Sequence, residues 1–277
     1  MKKKIIKYGI TLFILFSFII WIIIGNLTIG ITKYTIASEN LPDSFDGYKI
    51  IQISDLHNTR LVKNNDRLID RIDEANPDII VITGDLIDSS STDIDIALDF
   101  IEKLSNIAEI YYVTGNHEGW VTNDIYNELE IGLREINVNI LHNRGTTIEK
   151  GEDKIAITGI DDPDYGIGAS RLGVLGLNSL SSFEGYNILL SHRPEEFDIY
   201  ANSKYDLVLT GHAHGGQVRI PFIGGLIAPN QGLFPEYDSG VFTSNNTTMV
   251  VSRGIGNSIL KLRVNNRPEI VLIDLSK

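Results

Sequence analysis

A short apolar run followed at once by a polar turn occurs five times between residues 49 and 214, and this repetition constrains the fold most strongly. Runs of this length that are rich in β-branched residues are typical of buried strands. Apolar residues at helical spacing lie between several of them, over residues 66–76, 94–104 and 125–136. Strands that alternate with helices predict an α/β domain. The five predicted strands are 49–53, 79–82, 110–113, 186–190 and 207–209, and further short strands are expected within 137–160 and 239–275.

The composition excludes several classes of protein. With 43% hydrophobic and 22% charged residues among 277, the chain is globular and not wholly disordered. It has no cysteine, which excludes disulfides, zinc fingers, iron–sulfur clusters and a thiol nucleophile. The net charge is −12, although four lysines stand within the first seven residues. Because nucleic-acid affinity depends on basic contacts to phosphate, we expect no nucleic-acid partner.

The N-terminal part of the chain predicts a membrane anchor. Residues 8–32 carry no charge, and about 20 apolar residues suffice to span a bilayer as a helix. The preceding lysines predict a cytoplasmic N-terminus and an extracytoplasmic globular part, hence a single-pass protein of the cell membrane. The alternative is a cleaved signal peptide, whose apolar core is usually shorter. We therefore predict a basic segment over 1–7, the anchor over 8–32, a polar connector over 33–48 and one globular domain over 49–277.

The polar turns contain most of the candidate metal ligands, and five of the six histidines fall in them. Because the carboxyl ends of the strands form the working edge of an α/β sheet, these turns are expected to converge. Asp55 and His57 are two residues apart, as are His212 and His214. In extended chain such residues project the same way, so we expect each pair to approach one ion together.

The candidate ligands form a mixed set of two carboxylates, one amide oxygen and four imidazoles. This set favours Mn²⁺, Fe or Zn²⁺ over an all-oxygen site for Ca²⁺ or Mg²⁺. Seven side chains are too many for one catalytic ion with an open position, and they suit two divalent ions that share a bridging carboxylate. An alternative role for the two aspartates is capping of the following helices. The seven residues are Asp55, His57, Asp85, Asn116, His192, His212 and His214.

The order of the motifs resembles a known family. From about residue 49 to 217 the chain contains Asp55-x-His57, Gly84-Asp85-x-x-Asp88, Gly115-Asn116-His117-Glu118, a lone His192 and Gly211-His212-x-His214. This series resembles the calcineurin-like metallophosphoesterase superfamily. The N-terminal span, residues 159–163 and 211–217, and Ser252-Arg253-Gly254 resemble its membrane-anchored bacterial branch. Ala213 stands where threonine is frequent, and it is not a ligand position.

The resemblance implies a fold and roles for the site residues. The fold is α/β, with two mixed β-sheets packed as a sandwich and flanked by helices. Asp85 bridges two ions, and a hydroxide that they activate attacks phosphorus. His117 stabilises or protonates the leaving oxygen, and Asp88 orients it. One ion is held by Asp55, His57 and His214, and the other by Asn116, His192 and His212.

The expected function is a binuclear metal-dependent phosphoesterase at the membrane surface. Its substrates would be phosphodiester, pyrophosphate or lipid-linked phosphate bonds, and its other partner would be the lipid bilayer. Two alternatives remain open: a non-catalytic metal-binding membrane protein, and a phosphomonoesterase or protein phosphatase on the same fold. No motif specifies the substrate, the metal or an oligomeric state.

Two further segments carry expectations. Residues 215–235 contain five glycines, three prolines and one charged side chain, Arg219. This long apolar loop is expected to be irregular and to contact lipid, or else only to cover a sheet edge. Residues 161–163 predict a turn, with a third metal site as the alternative.

Overall fold

The computed structural model of the chain describes residues 2–60, 66–257 and 261–277. Met1, the first residue of the predicted basic segment, and residues 61–65 and 258–260 of the predicted globular domain lie outside this part. The helices are α1 Lys2–Leu27, α2 Asp66–Ala75, α3 Ile94–Ser105, α4 Asn116–Trp120, α5 Asn123–Glu135, α6 Ala169–Ser179 and α7 Phe197–Ala201. The strands are β1 Gly30–Ala37, β2 Lys49–Ile53, β3 Ile79–Thr83, β4 Glu109–Val113, β5 Asn139–Ile140, β6 Arg144–Lys150, β7 Asp153–Gly159, β8 Asn187–Leu190, β9 Leu207–Thr210, β10 Arg219–Ile220, β11 Gly224–Gly225, β12 Ile227–Ala228, β13 Gly232–Leu233, β14 Gly240–Ser244, β15 Thr247–Val251 and β16 Glu269–Ser276.

Two six-stranded mixed sheets form the centre of the domain. The first has the strand order β1-β16-β2-β3-β4-β5, and the second has the order β14-β15-β9-β8-β7-β6. The strands β2, β3 and β4 run parallel to one another, as do β7, β8 and β9. The predicted α/β class with two mixed sheets flanked by helices is therefore confirmed.

Both faces of the central strands are buried, which explains why their sequences are mainly apolar and do not alternate. In β2, Ile50 packs into the core between the two sheets, whereas Ile51 and Ile53 pack toward the outer helices. Apolar residues of α2, α3 and α5 cover the outer side of the first sheet. Residues of α6 and α7 pack in the same way against the second sheet. The domain is thus layered as helix, sheet, sheet, helix.

The predicted connector over 33–48 is not a connector in the structure. Residues of β1 pair in parallel with β16 along its whole length, so the boundary predicted at residue 32 falls inside a strand. Tyr34 and Ile36 pack into the core between the sheets, and Phe45 is buried in a short 3-10 turn. The sequence prediction missed β1 because it is an edge strand whose residues alternate between polar and apolar, and its lysine and threonines gave it a polar composition.

Helix α1 is separate from the layered domain for most of its length. Its segment Lys4–Leu27 is long and apolar enough to cross a membrane, and its most apolar part is not buried by the rest of the chain. From Tyr8 to Leu27 the helix rises roughly 30 Å at about 1.5 Å per residue, which matches the hydrocarbon core of a bilayer. The helix ends five residues before the predicted end of the anchor, because β1 begins at Gly30.

The loop 215–235 is more regular than its sequence predicts. It contains two small hairpins, β10 with β11 and β12 with β13. The first hairpin exposes Phe222 and Ile223 at its turn, and Leu233 and Phe234 are exposed at the end of the second. The loop therefore presents apolar side chains to its surroundings.

Candidate metal centre

All seven predicted ligands lie beyond the carboxyl ends of parallel strands, where the two sheets meet. Strands β2, β3 and β4 of the first sheet lead into the turns with the two aspartates, His57 and Asn116, and β8 and β9 of the second lead into the turns with the other histidines. Each of the seven residues is at most 5% exposed. The structure therefore brings together every side chain that the sequence predicts as a ligand.

One group of donor atoms surrounds His57 Nε2. This nitrogen lies 3.2 Å from His214 Nε2 and 3.5 Å from Asp85 Oδ2. His214 Nε2 lies 3.3 Å from Asp55 Oδ1. Ligand atoms from these four residues all lie within 4.8 Å of one another.

A second group surrounds His192 Nε2. This nitrogen lies 3.1 Å from Asn116 Oδ1, 3.2 Å from His212 Nδ1 and 3.3 Å from Asp85 Oδ2. The same oxygen of Asp85 thus faces both groups. One carboxylate oxygen between two sets of nitrogens is the arrangement expected of a bridging ligand.

The donor atoms fit divalent metal ions. Metal–nitrogen and metal–oxygen bonds of about 2.0–2.2 Å place neighbouring ligand atoms roughly 3–3.5 Å apart. The spacings around His57 and His192 fall in this range. Imidazole nitrogens that converge at 3.2 Å, beside aspartate oxygens, make a concentrated set of electron-pair donors for a cation.

The backbone of this region differs from the extended conformation that the spacing predicts. Five of the seven residues have positive φ, from 47° to 63°: Asp55, His57, Asp85, His212 and His214. Non-glycine residues rarely adopt this conformation, and such strain concentrates at functional sites. As a result His212 and His214 point into different groups, so the prediction that they approach one ion together is wrong. Asp55 and His57 do lie in one group, as predicted. The i, i+2 rule failed for the histidine pair because it assumes a regular strand, and here the strands have already ended.

Glycines let two of the turns touch. A Cβ atom on Gly84 would lie 2.6 Å from His192 Nδ1 and 2.7 Å from the Cα of Gly115. A Cβ on Gly115 would lie 2.2 Å from Asp85 Oδ1. The turns after β3 and β4 therefore pack glycine on glycine, and this close approach positions Asp85 between the two histidine groups.

Burial and charge set the ionisation of the centre. Burial opposes ionisation of Asp85, but the charge and hydrogen bond of His192 and the charge of His57 outweigh it and hold the pKa of Asp85 well below its usual value. Burial lowers the pKa of His57 to about 4. His192 Nδ1 lies 2.7 Å from the Thr83 carbonyl, so it donates there and leaves Nε2 directed at the site. The centre thus presents the Asp85 carboxylate and the His57 nitrogen to a cation. Burial opposes protonation of His192, but the charge and hydrogen bond of Asp85 raise its pKa to about 10, so a metal ion would replace a proton on this ring.

Comparison with known proteins identifies the family. The model of the calcineurin-like phosphoesterase family matches residues 48–216, which is more than half of the chain. The chain belongs to this family. Its members' chemistry and the two residue groups together support a metal-dependent phosphoesterase.

Three relatives extend the comparison. The uncharacterized metallophosphoesterase YkuE of Bacillus subtilis is 33% identical over 88% of this chain and 84% of its own. The phosphodiesterase YaeI of Escherichia coli is 27% identical over 84% of each chain. A transmembrane protein with metallophosphoesterase domain from Danio rerio is 30% identical over 86% of this chain, which spans 55% of that relative. Together with α1, the transmembrane relative indicates a membrane protein.

The ring of His117 lies beside the first group and is contacted by a residue that the sequence does not suggest. The backbone N–H of Ser89 donates to His117 Nδ1 at 3.0 Å, so in the neutral ring the proton is on Nε2. Asp88 Oδ1 is 3.8 Å from the same nitrogen and accepts two hydrogen bonds from Ser90 instead. The structure therefore assigns the orienting contact on His117 to Ser89. Burial opposes ionisation of Asp88, but the bonds from Ser90 hold its pKa below the usual value.

Glu118 is a structural member of the site to which the sequence assigned no role. Its carboxylate accepts backbone N–H bonds from Gly115 at 2.7 Å, Asp85 at 2.9 Å and Ile87 at 3.2 Å. One buried side chain thus joins the turn after β3 to the turn after β4. The signal was present in the motif, where Glu118 follows His117 directly.

Two buried arginines contact the histidines of the turn after β9, and the sequence prediction missed both. Arg193 Nη1 lies 3.1 Å from His212 Nε2, and Asp162 holds the same guanidinium with bonds of 2.5 and 2.8 Å. Arg263 Nη2 lies 3.3 Å from His214 Nδ1. A guanidinium can only donate, so these arginines pack against the outer ring nitrogens and do not accept a ring N–H, which is the usual support of a ligating histidine.

Residues 161–163 do not form a third group of metal ligands among the described residues. Asp162 pairs with Arg193, and Asp161 accepts hydrogen bonds from Thr114, Asn143 and the ring of His142. The segment therefore serves to connect the strands around the site.

Proposed function

We propose that the chain hydrolyses phosphodiester, pyrophosphate or lipid-linked phosphate bonds at the outer surface of the cell membrane, with two divalent ions bound together. The observation that carries this proposal is the position of Asp85 Oδ2, 3.5 Å from His57 Nε2 and 3.3 Å from His192 Nε2. A single shared oxygen between two donor groups favours a pair of ions over two independent sites.

The residues of each group would hold one ion. Asp85 would contact both, and the mixed nitrogen and oxygen donors suit Mn²⁺, Fe or Zn²⁺. When bound, the ions supply Lewis acidity at the phosphoryl oxygens and bring the pKa of a water molecule near neutrality. The first ion would be held by Asp55, His57 and His214, and the second by Asn116, His192 and His212.

The chain's own part in the reaction centres on His117. With the Ser89 N–H donating to Nδ1, the neutral ring keeps its proton on Nε2 and can stabilise the leaving oxygen by a hydrogen bond from Nε2–H. Its ring centroid lies 4.5 Å from that of His57, which places it beside the first group. Asp88 contributes negative charge nearby, with its Oδ1 3.8 Å from Nδ1.

The relatives and α1 support the proposed substrate class. The Escherichia coli relative is described as a phosphodiesterase, which supports diesters as substrates here. A span with lysines at its start favours a cytoplasmic N-terminus and a domain outside. This position gives access to lipid phosphoesters, and a net charge of −12 disfavours acidic phosphopeptides.

The test uses the full chain in detergent. Metal-stripped protein is refilled with Mn²⁺, Zn²⁺ or Fe²⁺, and hydrolysis of bis-p-nitrophenyl phosphate is compared with that of p-nitrophenyl phosphate. We expect metal-dependent turnover of the diester, two bound equivalents of metal, and loss of both in Asp85→Asn and His192→Ala. The matched control is His142→Gln, which removes the one histidine outside the site and should keep both properties.

The outcomes separate the alternatives. Preference for the monoester would favour a phosphomonoesterase or protein phosphatase on this fold. Two bound equivalents without turnover of either ester, or of a natural lipid pyrophosphate, would favour a non-catalytic metal-binding membrane protein. Activity that survives both Asp85→Asn and His192→Ala would overturn the proposed centre.

A further inference from the structure

A cavity of about 340 Å³ lies between the end of α1 and the globular domain. Trp21, Ile24 and Thr28 of the helix region form one side, and Arg253, Arg263 and Arg267 form part of the other. The cavity is outside both donor groups of the metal centre. Nothing in the proposed hydrolysis requires it.

The charge of this cavity is opposite to that of the chain. Its lining among the described residues includes three arginines and two asparagines and no carboxylate, although the chain carries a net charge of −12. A second cavity, beside Arg193, is by contrast lined by four acidic residues. Glu269 pairs with Arg253 from outside the lining, which still leaves the cavity positive.

The walls of the cavity are held in place by specific contacts. Asn26 exchanges two hydrogen bonds with the backbone of Arg263, at 2.7 and 2.9 Å. Arg267 Nε donates to the Thr28 carbonyl at 3.1 Å. The side chain of Arg263 is fixed by bonds to Asn257 and to backbone carbonyls. The helix end and the arginines therefore form one built site.

The cavity also adjoins the outer end of α1, where the hydrocarbon core of a bilayer would end and the lipid headgroups would begin. Trp21 is six residues before the end of α1, roughly 9 Å along the helix axis at about 1.5 Å per residue, and tryptophan favours the membrane interface. Asn265, another lining residue, donates to the carbonyl of Arg219 at the base of the first loop hairpin. That hairpin exposes Phe222 and Ile223, so apolar side chains and cations lie in the same region, as in membrane-surface segments.

We propose that this cavity binds the phosphate of an anionic phospholipid headgroup. Guanidinium groups recognise phosphate through charge-assisted hydrogen bonds, and the adjoining Trp21 and Ile24 favour the start of the acyl chains. The lipid is favoured over free phosphate because one wall of the cavity is the membrane helix itself. The inference rests on the membrane position of α1 and not on the reaction at the metal centre.

The experiment uses fluorescence of Trp21 in the full chain. The chain has two tryptophans, so Trp120→Phe leaves Trp21 as the only probe. The protein is placed in phosphatidylcholine vesicles that contain a small, fixed mole fraction of either brominated phosphatidylglycerol or brominated phosphatidylcholine. We expect the anionic lipid to quench Trp21 more strongly. One arginine raises the local concentration of an anionic lipid by roughly fivefold, and the excess of quenching should correspond to this increase.

The variants decide whether the cavity causes the excess quenching. Arg267→Gln should reduce it to the phosphatidylcholine level, and Arg267→Lys should retain part of it. Arg171→Gln is the matched control, because it removes an exposed arginine whose contact is to Gly166 and not to α1. Equal quenching of Trp21 by the two lipids would overturn the proposal. So would an excess of quenching by the anionic lipid that is the same in Arg267→Gln as in Arg171→Gln. Removal of the excess by inorganic phosphate at constant ionic strength would assign the cavity to free phosphate and also overturn it. Because hydrolysis is not measured, failure here is distinct from failure of the proposed function.

Discussion

Asn26 and Arg263 are joined by a reciprocal pair of hydrogen bonds across 237 positions of sequence. Asn26 Nδ2 donates to the Arg263 carbonyl at 2.7 Å, and Asn26 accepts from the Arg263 N–H at 2.9 Å. The guanidinium of Arg263 in turn lies 3.3 Å from His214 Nδ1. Arg263 therefore links the last turn of α1 to His214, a predicted metal ligand. Through this link the helix helps to position the site.

Substitution of Asn26 tests this connection. Asn26→Ala leaves two backbone groups of Arg263 without their partner, and we expect it to lower the free energy of unfolding by about 1–3 kcal/mol, at roughly 0.5–1.5 kcal/mol per hydrogen bond. Metal affinity should fall as well, because Arg263 supports His214. Thermal unfolding and metal titration in detergent measure both effects. Thr11→Ala is the control, since the Thr11 hydroxyl donates to the Lys7 carbonyl within α1. Equal results for the two variants would contradict the connection.

The position of β1 determines where the anchor can be removed. A chain that starts at Ile29 keeps the eight pairs between β1 and β16 and is expected to remain monomeric. A chain that starts at Ser38 exposes the edge of β16, and unpaired edges promote association. Gel filtration and thermal unfolding of the two truncations measure the difference. If both are equally stable and monomeric, β1 does not contribute as the structure indicates.

The sequence predicted the parts of the molecule that follow from local pattern. Strands β2 and β3 were found because both faces are buried and their residues are mainly apolar, and Asp55 and Asp85 were found because they follow such strands. The supporting contacts were missed because their partners are distant in the chain and carry no motif. Asp162 and Arg193 are 31 residues apart, and Ser89 acts on His117 through its backbone N–H.

The pair of Asp162 and Arg193 makes a prediction about metal affinity. Asp162→Asn weakens the bidentate contact that holds Arg193 against His212, so we expect roughly 10–100-fold weaker binding of one of two equivalents. Competition with a chelator measures the change. The control is Asp164→Asn, because Asp164 touches the same guanidinium at 3.1 Å but its side chain is 42% exposed. An equal loss of metal affinity in both variants would show that the negative charge beside Arg193, and not the bidentate contact, determines the affinity.

His142 predicts a pH dependence of stability outside the metal centre. Its Nδ1 lies 2.7 Å from Asp161 Oδ1, and this hydrogen bond raises the pKa of His142 although burial opposes the shift. Because the pKa is higher in the folded state, the stabilisation is complete below the unfolded value of about 6.5 and is lost as the pH rises through the folded value. The difference in unfolding temperature between the unmodified chain and His142→Gln, measured without metal, should therefore shrink from acidic to alkaline pH. A constant difference would show that the pair does not titrate in this way.

His117 gives the prediction that separates catalysis from metal binding. We expect His117→Asn to lower turnover of the diester by about 10²–10⁴-fold, the usual contribution of a positioned acid or base, with metal content unchanged. The orienting contact comes from the backbone of Ser89, so Ser89→Ala should retain most of the activity even though its hydroxyl also lies 3.1 Å from His117 Nδ1. Asp88→Asn should have an intermediate effect through charge, because its oxygen is 3.8 Å from that nitrogen. Activity and bound metal are measured on the same samples. Loss of metal in His117→Asn would make the residue a support of the centre, and a larger loss of activity in Ser89→Ala than in Asp88→Asn would assign the contact to the hydroxyl.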